Sequence, residues 1–532
     1  MKLSRSNRQV GKYGGLVPIL KRIEQCRIAQ LITSELGSRV KQAEYSHADT
    51  ILGWSVSAFC GGKRINYVSK ITKELKLFRG LRIPSHDTIG RELKKLAHKD
   101  ERVKGMHNDA QNYIYYNDNL RMNRLLMKTT KQIGALRENV SYTLDVDATF
   151  INSECRGVFR PSKEQEEKYD NEKALKENQI QFEGKEAIEV ELKKVPTERT
   201  GKTGFCPMVA LIGALPVNIS LRSASGGAHF KLHEFVKSTF TLADESKITI
   251  GRFISDGAGY LKNTLEYLHN RDVKFLVRFT YKKTNKKFAK AFKEYSEWKK
   301  ATIKTTTQTL NCEVGEIPYK MWDHPQHRRG YPSPTYRVIV LKRPTDDTLK
   351  LNDQEAYKLK LAERADRDAF QQMQRLEETG NPNADGWTEI NGYKYIFIIT
   401  NDFDKAPQDL AVEYNKRGNA ERQFSHMKKD FAWKYPPFMY MNANAVFLIV
   451  AAIANNIFRG VAIWLNKQIP QIDLKATLEE FSNLFVRVCF EVIDGDYVYF
   501  TTDIAFEKNK NASAPEKLFV DFRKKSTNTC WS

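Results

Sequence analysis

The chain has 532 residues, 41% of them hydrophobic and 28% charged, a composition that argues for ordinary globular domains and against a disordered chain. The length predicts about two to four domains. Lys and Arg total 86 against 64 Asp and Glu, which gives a net charge of +22. A basic excess of this size favours a polyanionic partner, commonly nucleic acid and less commonly an anionic membrane surface.

The seven cysteines are scattered and include no C-x-x-C pair. This spacing argues against a disulfide framework and against a zinc knuckle, and it predicts a reducing compartment. Residues 1–15 lack the apolar core of a signal peptide. The most apolar run, 445–454, is too short to span a bilayer and predicts a buried core helix. We therefore expect a cytoplasmic protein without a membrane partner.

Residues 1–135 show apolar spacing near the helical period. Within them, segment 83–99 starts with Pro84 and Ser85, as helices often do. Its polar side carries four cations, Arg91, Lys94, Lys95 and Lys99. The segment is either a recognition helix that contacts DNA or a charged surface helix, and the overall charge favours DNA contact. We predict a helical DNA-binding and dimerisation region over 1–135.

The first part of a core is predicted over residues 136–280. Residues 141–151 alternate like a strand, with Asp145 and Asp147 on one face. Later strands are predicted at 204–214, 216–224, 247–259 and 273–280, and helices precede the last two of them. Three consecutive strands followed by helix–strand units predict a mixed α/β sheet, the order found in ribonuclease H-like folds. The charged segment 162–194 is predicted to be a solvated insertion.

The boundaries of the regions after residue 280 are predicted from changes in charge and in hydrophobic periodicity. Residues 281–392 are basic and contain short strand-like runs, so they predict a β-rich insertion domain. Residues 393–470 predict the second part of the core, in which a strand precedes one helix over about 408–432 and then an apolar helix. The C-terminal region is 471–532, with a strand pair predicted at 484–502.

Two acids lie on predicted core strands. Asp147 is within a strand beside Asp145, and Asp256 ends a later strand. A carboxylate on a strand whose other side chains are apolar is costly unless it is paired or coordinated. Taken singly, each acid has an ordinary explanation as the cap of a turn or helix. Taken together, they are candidates for a carboxylate site.

A stripe of functional side chains is predicted on the helix at 408–432, because residues three, four and seven apart share a helix face. The stripe consists of Tyr414, Arg417, Glu421, Phe424 and Lys428. Phe424 is expected to pack against the core, and this predicts that Glu421 points along the core side. The alternative is an exposed Arg417–Glu421 pair worth a few tenths of a kcal/mol. Gly418 and Asn419 are poor helix formers, which a purely structural helix would not need.

The pattern Y-x2-R-x3-E-x6-K in this stretch resembles the signature of cut-and-paste DDE transposases of bacterial insertion sequences. Three further runs resemble strands of that family: "LDVDAT" the first-aspartate strand, "FISDGAGY" the second-aspartate strand, and "FIITND" the strand before the glutamate helix. Residues 204–229 resemble the branch that neighbours the piggyBac transposases. The resemblance spans about residues 50–500.

The resemblance implies a ribonuclease H-like catalytic core, with Asp147, Asp256 and Glu421 as the catalytic and metal-binding triad. Asp145 shares a strand face with Asp147 and is an alternative metal ligand. We favour Asp147, because strands of this family place the aspartate just before a small residue and a Thr. Two Mg²⁺ ions are the implied cofactors, with Mn²⁺ as a substitute, and both prefer carboxylate oxygens.

The resemblance also implies DNA contacts. Arg417 and Lys428 would bind phosphates near the scissile bond, and Tyr414 would contact the DNA end. Trp298 and Trp322, with Trp387 as a third, are candidates for stacking an extruded base, although buried tryptophans are usually core residues. The implied partners are double-stranded DNA, as transposon ends and as target, and a second copy in a synaptic homodimer. The implied location is the bacterial nucleoid.

Three functions fit these features. The first is a transposase that binds terminal inverted repeats, cleaves the ends and joins them to target DNA. The second is a ribonuclease H-like nuclease or resolvase that cuts without joining. The third is a transposase-derived DNA-binding protein without activity, against which the clustered carboxylates argue because they repel phosphate. The first is favoured.

Overall fold

A computed structural model describes residues 9–104, 113–152, 204–223, 227–280, 286–304, 309–320, 334–344, 387–390, 393–438, 440–470, 472–493 and 496–499. The predicted charged insertion 162–194 and Trp322 lie outside these residues. The described helices are α1 (Leu16–Gln25), α2 (Ile28–Leu36), α3 (His47–Phe59), α4 (Tyr67–Leu75), α5 (His86–Lys95), α6 (Leu120–Gln132), α7 (Leu232–Glu245), α8 (Lys262–Asn270), α9 (Lys286–Glu294), α10 (Pro407–Asn415), α11 (Asn419–Asp430), α12 (Met441–Asn466) and α13 (Leu478–Phe481).

The described strands are β1 (Gln9–Gly11), β2 (Glu101–Lys104), β3 (Tyr113–Asn117), β4 (Ser141–Ala148), β5 (Ile151–Asn152), β6 (Gly204–Phe205), β7 (Met208–Ile212), β8 (Leu215–Arg222), β9 (Thr249–Ser255), β10 (Lys274–Arg278), β11 (Lys299–Lys304), β12 (Thr309–Lys320), β13 (Thr335–Pro344), β14 (Thr388–Ile390), β15 (Tyr393–Thr400), β16 (Phe490–Ile493) and β17 (Asp496–Tyr499).

Twelve of the described strands form one mixed sheet, in the order β11-β12-β13-β15-β10-β9-β4-β7-β8-β3-β2, with β14 paired to β15 beside this path. The strand β4 lies in the middle, parallel to β9 and antiparallel to β7. The strand β9 is in turn parallel to β10. This arrangement confirms the predicted mixed α/β sheet, and it is consistent with a ribonuclease H-like core.

Helices cover both faces of this sheet, which explains why every residue of β7 and β8 is buried. Alternate residues of β4 and β7, such as Leu144 and Met208, pack with α7 and α8 on one face. On the other face, Val209 and Leu211 join a cluster with the N-terminal helices and α12. The side chains of Asp145 and Asp147 alternate with Leu144 and therefore point toward this second face.

The helix α12 is the centre of the second cluster. Its 26 residues are apolar enough, by length and composition, to cross a membrane, but 94% of its most apolar window is buried inside the protein. The prediction of a buried core helix is therefore confirmed. A helix apolar on all sides needs neighbours all round, and here they are the N-terminal helices and the sheet.

Several predictions differ from the structure. The single helix predicted over 408–432 is wrong, because a 3₁₀ turn at Lys416–Gly418 separates α10 from α11. The strands β11, β12 and β13 of the predicted insertion extend the core sheet beyond β15. The predicted strand pair near the C-terminus begins only at Phe490, after a π-helical turn at Ser482–Val486, and it pairs with β1.

Candidate active site

Two aspartates meet at the carboxyl edge of the central strands. The parallel register of β4 and β9 aligns Asp145 with Ile254 and Val146 with Ser255. The next residues along the two strands are Asp147 and Asp256. Because parallel neighbours end at the same edge of a sheet, both carboxylates emerge side by side.

A tight turn fixes the second aspartate. The Oδ1 atom of Asp256 accepts a hydrogen bond of 2.9 Å from the backbone N–H of Ala258, which caps the 3₁₀ turn Gly257–Gly259. A Cβ atom at Gly259 would lie 2.6 Å from Cβ of Ser255, so the turn requires glycine there. The run "SDGAG" therefore sets the direction of the Asp256 carboxylate.

The guanidinium of Arg417 bridges the two aspartates. Its Nη2 atom donates to Oδ2 of Asp147 at 2.8 Å and lies 3.8 Å from Oδ2 of Asp256. The other oxygen of Asp147 accepts a 2.8 Å bond from the N–H of Ala148. Each aspartate thus binds the backbone with one oxygen and faces Arg417 with the other. Burial lowers the pKa of Arg417, but Asp147 and the neighbouring negative charges outweigh burial and raise it overall.

The electrostatics of the site are those of crowded, buried carboxylates. Burial raises the pKa of Asp147 to about 6, with Arg417 opposing the rise and the charges of Asp256 and Glu421 adding to it. Burial likewise raises the pKa of Asp145 to about 7. The Oδ1 atom of Asp145 is buried and has no hydrogen-bond partner among the described residues. These carboxylates consequently lack sufficient positive charge around them.

Glu421 lies in the first turn of α11, but its side chain is exposed. The buried face of α11 is formed instead by Ala420, Phe424 and Met427. The expectation that Glu421 points along the core side is therefore wrong, because Ala420 and not Glu421 takes the buried position in the first turn of α11. Glu421 still acts electrostatically on Asp147, and it lies on the aspartate side of the sheet.

The other two members of the stripe differ in exposure. Tyr414 is buried in a cluster with Leu276 and Leu410, and burial raises the pKa of its hydroxyl. Lys428 is half-buried and donates a 2.7 Å hydrogen bond to Oγ1 of Thr149. Burial lowers the pKa of Lys428. Thr149 went unnoticed in the sequence as a partner, although it lies two residues after Asp147 in "LDVDAT".

The N-terminal cations lie on a firmly held helix. Arg91, Lys94 and Lys95 are exposed on α5, which starts at the Ser85 cap as the sequence predicted. On its inner side, Glu92 is buried, forms an ion pair with Arg39 at 2.7 Å and lies 3.0 Å from Nδ1 of His47. The contacts of Glu92 thus hold α5 in place and keep its cationic side toward solvent.

The two described tryptophans that are candidates for stacking a base lie on opposite faces of the sheet. Trp298 is partly buried against the cluster that contains Leu144, whose side chain points away from the aspartates. Trp387 is buried with Tyr414 in the cluster beside α10, and the guanidinium of Arg343 lies 4.3 Å from its ring centre. Trp387, rather than Trp298, therefore shares a sheet face with the aspartates.

The residues present fit a divalent cation. Asp145, Asp147 and Asp256 supply carboxylate oxygens, the donors that Mg²⁺ prefers, and a guanidinium already lies where positive charge is needed. One oxygen of Asp145 lacks a partner among the described residues. In the described part of the chain, no three His, Cys, Asp or Glu side chains are already grouped closely enough to hold a metal ion.

Comparison with known families identifies the domain that carries this site. Residues 205–457, somewhat less than half of the chain, match the family model described as the transposase DDE domain. The matched range includes Asp256 and the stretch from Tyr414 to Lys428, whereas β4 with Asp147 precedes it. No curated protein matched the chain. The chain therefore contains a transposase DDE domain, a catalytic nuclease and transferase domain that acts on DNA.

Proposed function

We propose that this protein is a DNA transposase that binds the terminal inverted repeats of a transposon, cleaves its ends and joins them to target DNA. The observation that carries the proposal is the shared contact of Arg417 with Asp147 and Asp256 at one sheet edge. This contact connects β4, which carries Asp147 and precedes the matched range 205–457, with Asp256 inside that range. Arg417 itself lies just before α11, the helix that carries Glu421.

In this proposal Asp147, Asp256 and Glu421 hold two divalent ions, Mg²⁺ or Mn²⁺, with Asp145 as an additional ligand. Such ions activate the attacking oxygen and stabilise the leaving one in phosphodiester chemistry. The protein then needs no covalent nucleophile of its own. Its carboxylates supply the ligands, and the turn at Gly257–Gly259 keeps Asp256 in place.

Arg417 and Lys428 bind the DNA backbone in this proposal. Arg417 pairs with the aspartates while their charge is uncompensated, and it can turn to a phosphate once that charge is neutralised. Lys428 lies against Thr149, beside the strand that carries Asp147, so its ammonium group is close to where a scissile phosphate would lie. Tyr414 is buried and supports Arg417 rather than the DNA end.

We further infer that the protein belongs to the bacterial insertion-sequence branch with the Y-R-E-K signature. The ungapped fit of Tyr414, Arg417, Glu421 and Lys428 to that signature supports this assignment. A synaptic homodimer on DNA of the bacterial nucleoid would be the working form. The net charge of +22 suits association with DNA.

A strand-transfer assay tests the proposal. Precleaved duplexes that end in the inverted repeats flanking the gene are incubated with the protein, Mg²⁺ and a supercoiled plasmid. We expect joined products that are absent with scrambled ends. Cleavage of uncut ends without any joined product would assign a nuclease or resolvase and contradict transposition.

A further inference from the structure

A second cleft lies away from the aspartates, between the N-terminal helices and the loop that follows α11. Its volume is about 860 Å³. One wall is the exposed side of α5 with Arg91 and Lys94, a second is the loop before α4 with Arg64, and the third is the loop with Tyr435 and Phe438. The size is that of a site for one organic ligand the size of a nucleotide or two.

Cations lie over aromatic rings in this cleft. The guanidinium of Arg64 is 5.2 Å from the centre of the Tyr435 ring, and the ammonium of Lys94 is 5.7 Å from that of Phe438. Within the described residues, Arg64, Arg91 and Lys94 form no ion pair with a carboxylate. The lining therefore combines flat aromatic surface with three cations and one carboxylate, Asp87, so its charge is positive on balance.

The walls of the cleft are built before any ligand arrives. The N–H of Phe438 donates to Oδ1 of Asn444 at 3.0 Å, and Nδ2 of Asn444 donates to the carbonyl of Phe438 at 2.9 Å. The indole of Trp433 donates to the carbonyl of Leu448 at 3.2 Å. All three bonds attach the loop to α12. Tyr435 is nevertheless 38% exposed, so part of its side chain remains accessible on a fixed support, with the ammonium of Lys434 also 5.2 Å from its ring centre.

This combination matches the chemistry of an unpaired nucleotide. A base stacks on an aromatic ring, and its phosphate pairs with Arg and Lys. A base inside a duplex has both faces covered by its neighbours, so it must leave the stack before it can lie on Tyr435. We propose that the cleft binds an unpaired nucleotide of the DNA substrate, with the base on Tyr435 and the backbone on Arg64, Arg91 and Lys94.

The position of the cleft relates it to the candidate active site. The helix α11 carries Glu421 in its first turn and ends at Asp430, so it extends about 14 Å beyond Glu421 before the loop with Tyr435 begins. A rise of about 3.4 Å per base along one strand makes this roughly four nucleotides. The unpaired nucleotide would thus lie several steps from the scissile phosphate. This inference rests on the proposed function insofar as DNA is the substrate.

Binding of short oligonucleotides to the full chain tests the inference. Fluorescence anisotropy compares a labelled ten-nucleotide dT strand with a labelled duplex of the same length. We expect Tyr435→Ala to weaken single-strand binding by about tenfold, the loss typical of one stacked base, and to change duplex binding by less than about twofold. Tyr435→Phe should keep the wild-type affinity, because the phenyl ring stacks equally well.

Tyr393→Ala is the matched control. Tyr393 is also an exposed tyrosine, 39% accessible, with the ammonium of Lys342 at 4.5 Å from its ring. Its removal should leave both affinities unchanged. An unchanged single-strand affinity in Tyr435→Ala, or an equal loss for strand and duplex, would overturn the inference. Failure of the wild type to bind any DNA would instead contradict the proposed function itself.

Discussion

At the scale of single residues, the guanidinium of Arg417 partly compensates the negative charge of the aspartates in the candidate site. Asp145, Asp147 and the partly exposed Asp256 share one guanidinium, which contacts Asp147 at 2.8 Å and approaches Asp256 at 3.8 Å. An uncompensated buried charge is costly, so a group of this kind favours positive charge beside it. The same imbalance that favours a divalent ion makes the metal-free site sensitive to pH and to the loss of Arg417.

Arg417→Met should destabilise the metal-free protein, and more at pH 8 than at pH 5. Burial already raises the pKa of Asp147 to about 6, so this carboxyl is ionised at pH 8 and protonated at pH 5. Without the guanidinium, an ionised Asp147 costs about 3 kcal/mol at pH 8. Thermal melts in EDTA at both pH values measure the difference, and added Mn²⁺ should restore part of the loss. An equal loss at both pH values would refute the electrostatic role of Arg417.

Asp145→Asn should stabilise the metal-free protein at pH 8 and have little effect near pH 4. The folded-state pKa of Asp145, about 7, lies above its ordinary value, so the folded state binds more protons than the unfolded state between about pH 4 and 7. Stability therefore falls as pH rises through this window, and the substitution removes that fall. We expect a melting temperature about 1–3 °C higher at pH 8. A lower melting temperature at pH 8 would show that the ionised carboxylate is well paired.

At the scale of elements, an ion network fixes the segment that leads to Arg417. Arg252 on β9 pairs with Asp402 at 2.6 Å and also with Glu413 on α10. Arg337 on β13 donates to the carbonyl of Asp402 at 2.7 Å. Asp402 is only 2% exposed, so its pairing is obligatory. The network anchors α10, and with it the turn from which Arg417 reaches the aspartates.

Arg252→Met should therefore weaken both stability and cleavage. It leaves Asp402 buried beside an apolar side chain, which costs about 3 kcal/mol, and it loosens α10 without altering any predicted metal ligand. Urea unfolding and single-turnover cleavage measure the two effects. Arg271→Met is the control, because the Arg271–Asp244 pair is exposed and worth less than about 1 kcal/mol. Equal effects of both substitutions would contradict the anchoring role.

The sequence predicted the strands of this site better than its helix. Asp147 and Asp256 lie on strands that alternate or end clearly, which is local information, and the structure places both at one edge. The helix break at Lys416–Gly418 ends at Gly418 and precedes Asn419, two poor helix formers, but a low helix propensity alone does not distinguish a break from a continuous helix.

Contacts between distant segments could not be predicted from the sequence either. The strand β13 pairs with β15, although the paired residues are about fifty to sixty positions apart along the chain, and this pairing joins the predicted insertion to the core sheet. Lys428 contacts Thr149 across 279 positions. Such contacts are decided by the folded sheet and cannot be deduced from periodicity in either segment.

At the scale of the whole molecule, the excess of positive charge makes DNA binding salt-dependent. Each phosphate neutralised by a Lys or Arg releases counterions, so affinity falls as salt rises. Lys428→Ala should weaken end binding and reduce the slope of log affinity against log salt by about 1. Anisotropy titrations between low and moderate salt measure the slope. A weaker but parallel line would mean that Lys428 acts through Thr149 and not through a phosphate.

Single-turnover cleavage by Glu421→Gln, measured beside its binding to the same transposon-end duplex, tests most directly whether Asp147, Asp256 and Glu421 form one metal-dependent site. We expect a cleavage rate lowered by about a thousandfold or more, with an affinity for the end within about twofold of wild type. Undiminished cleavage, or binding lost in the same proportion as cleavage, would contradict this expectation.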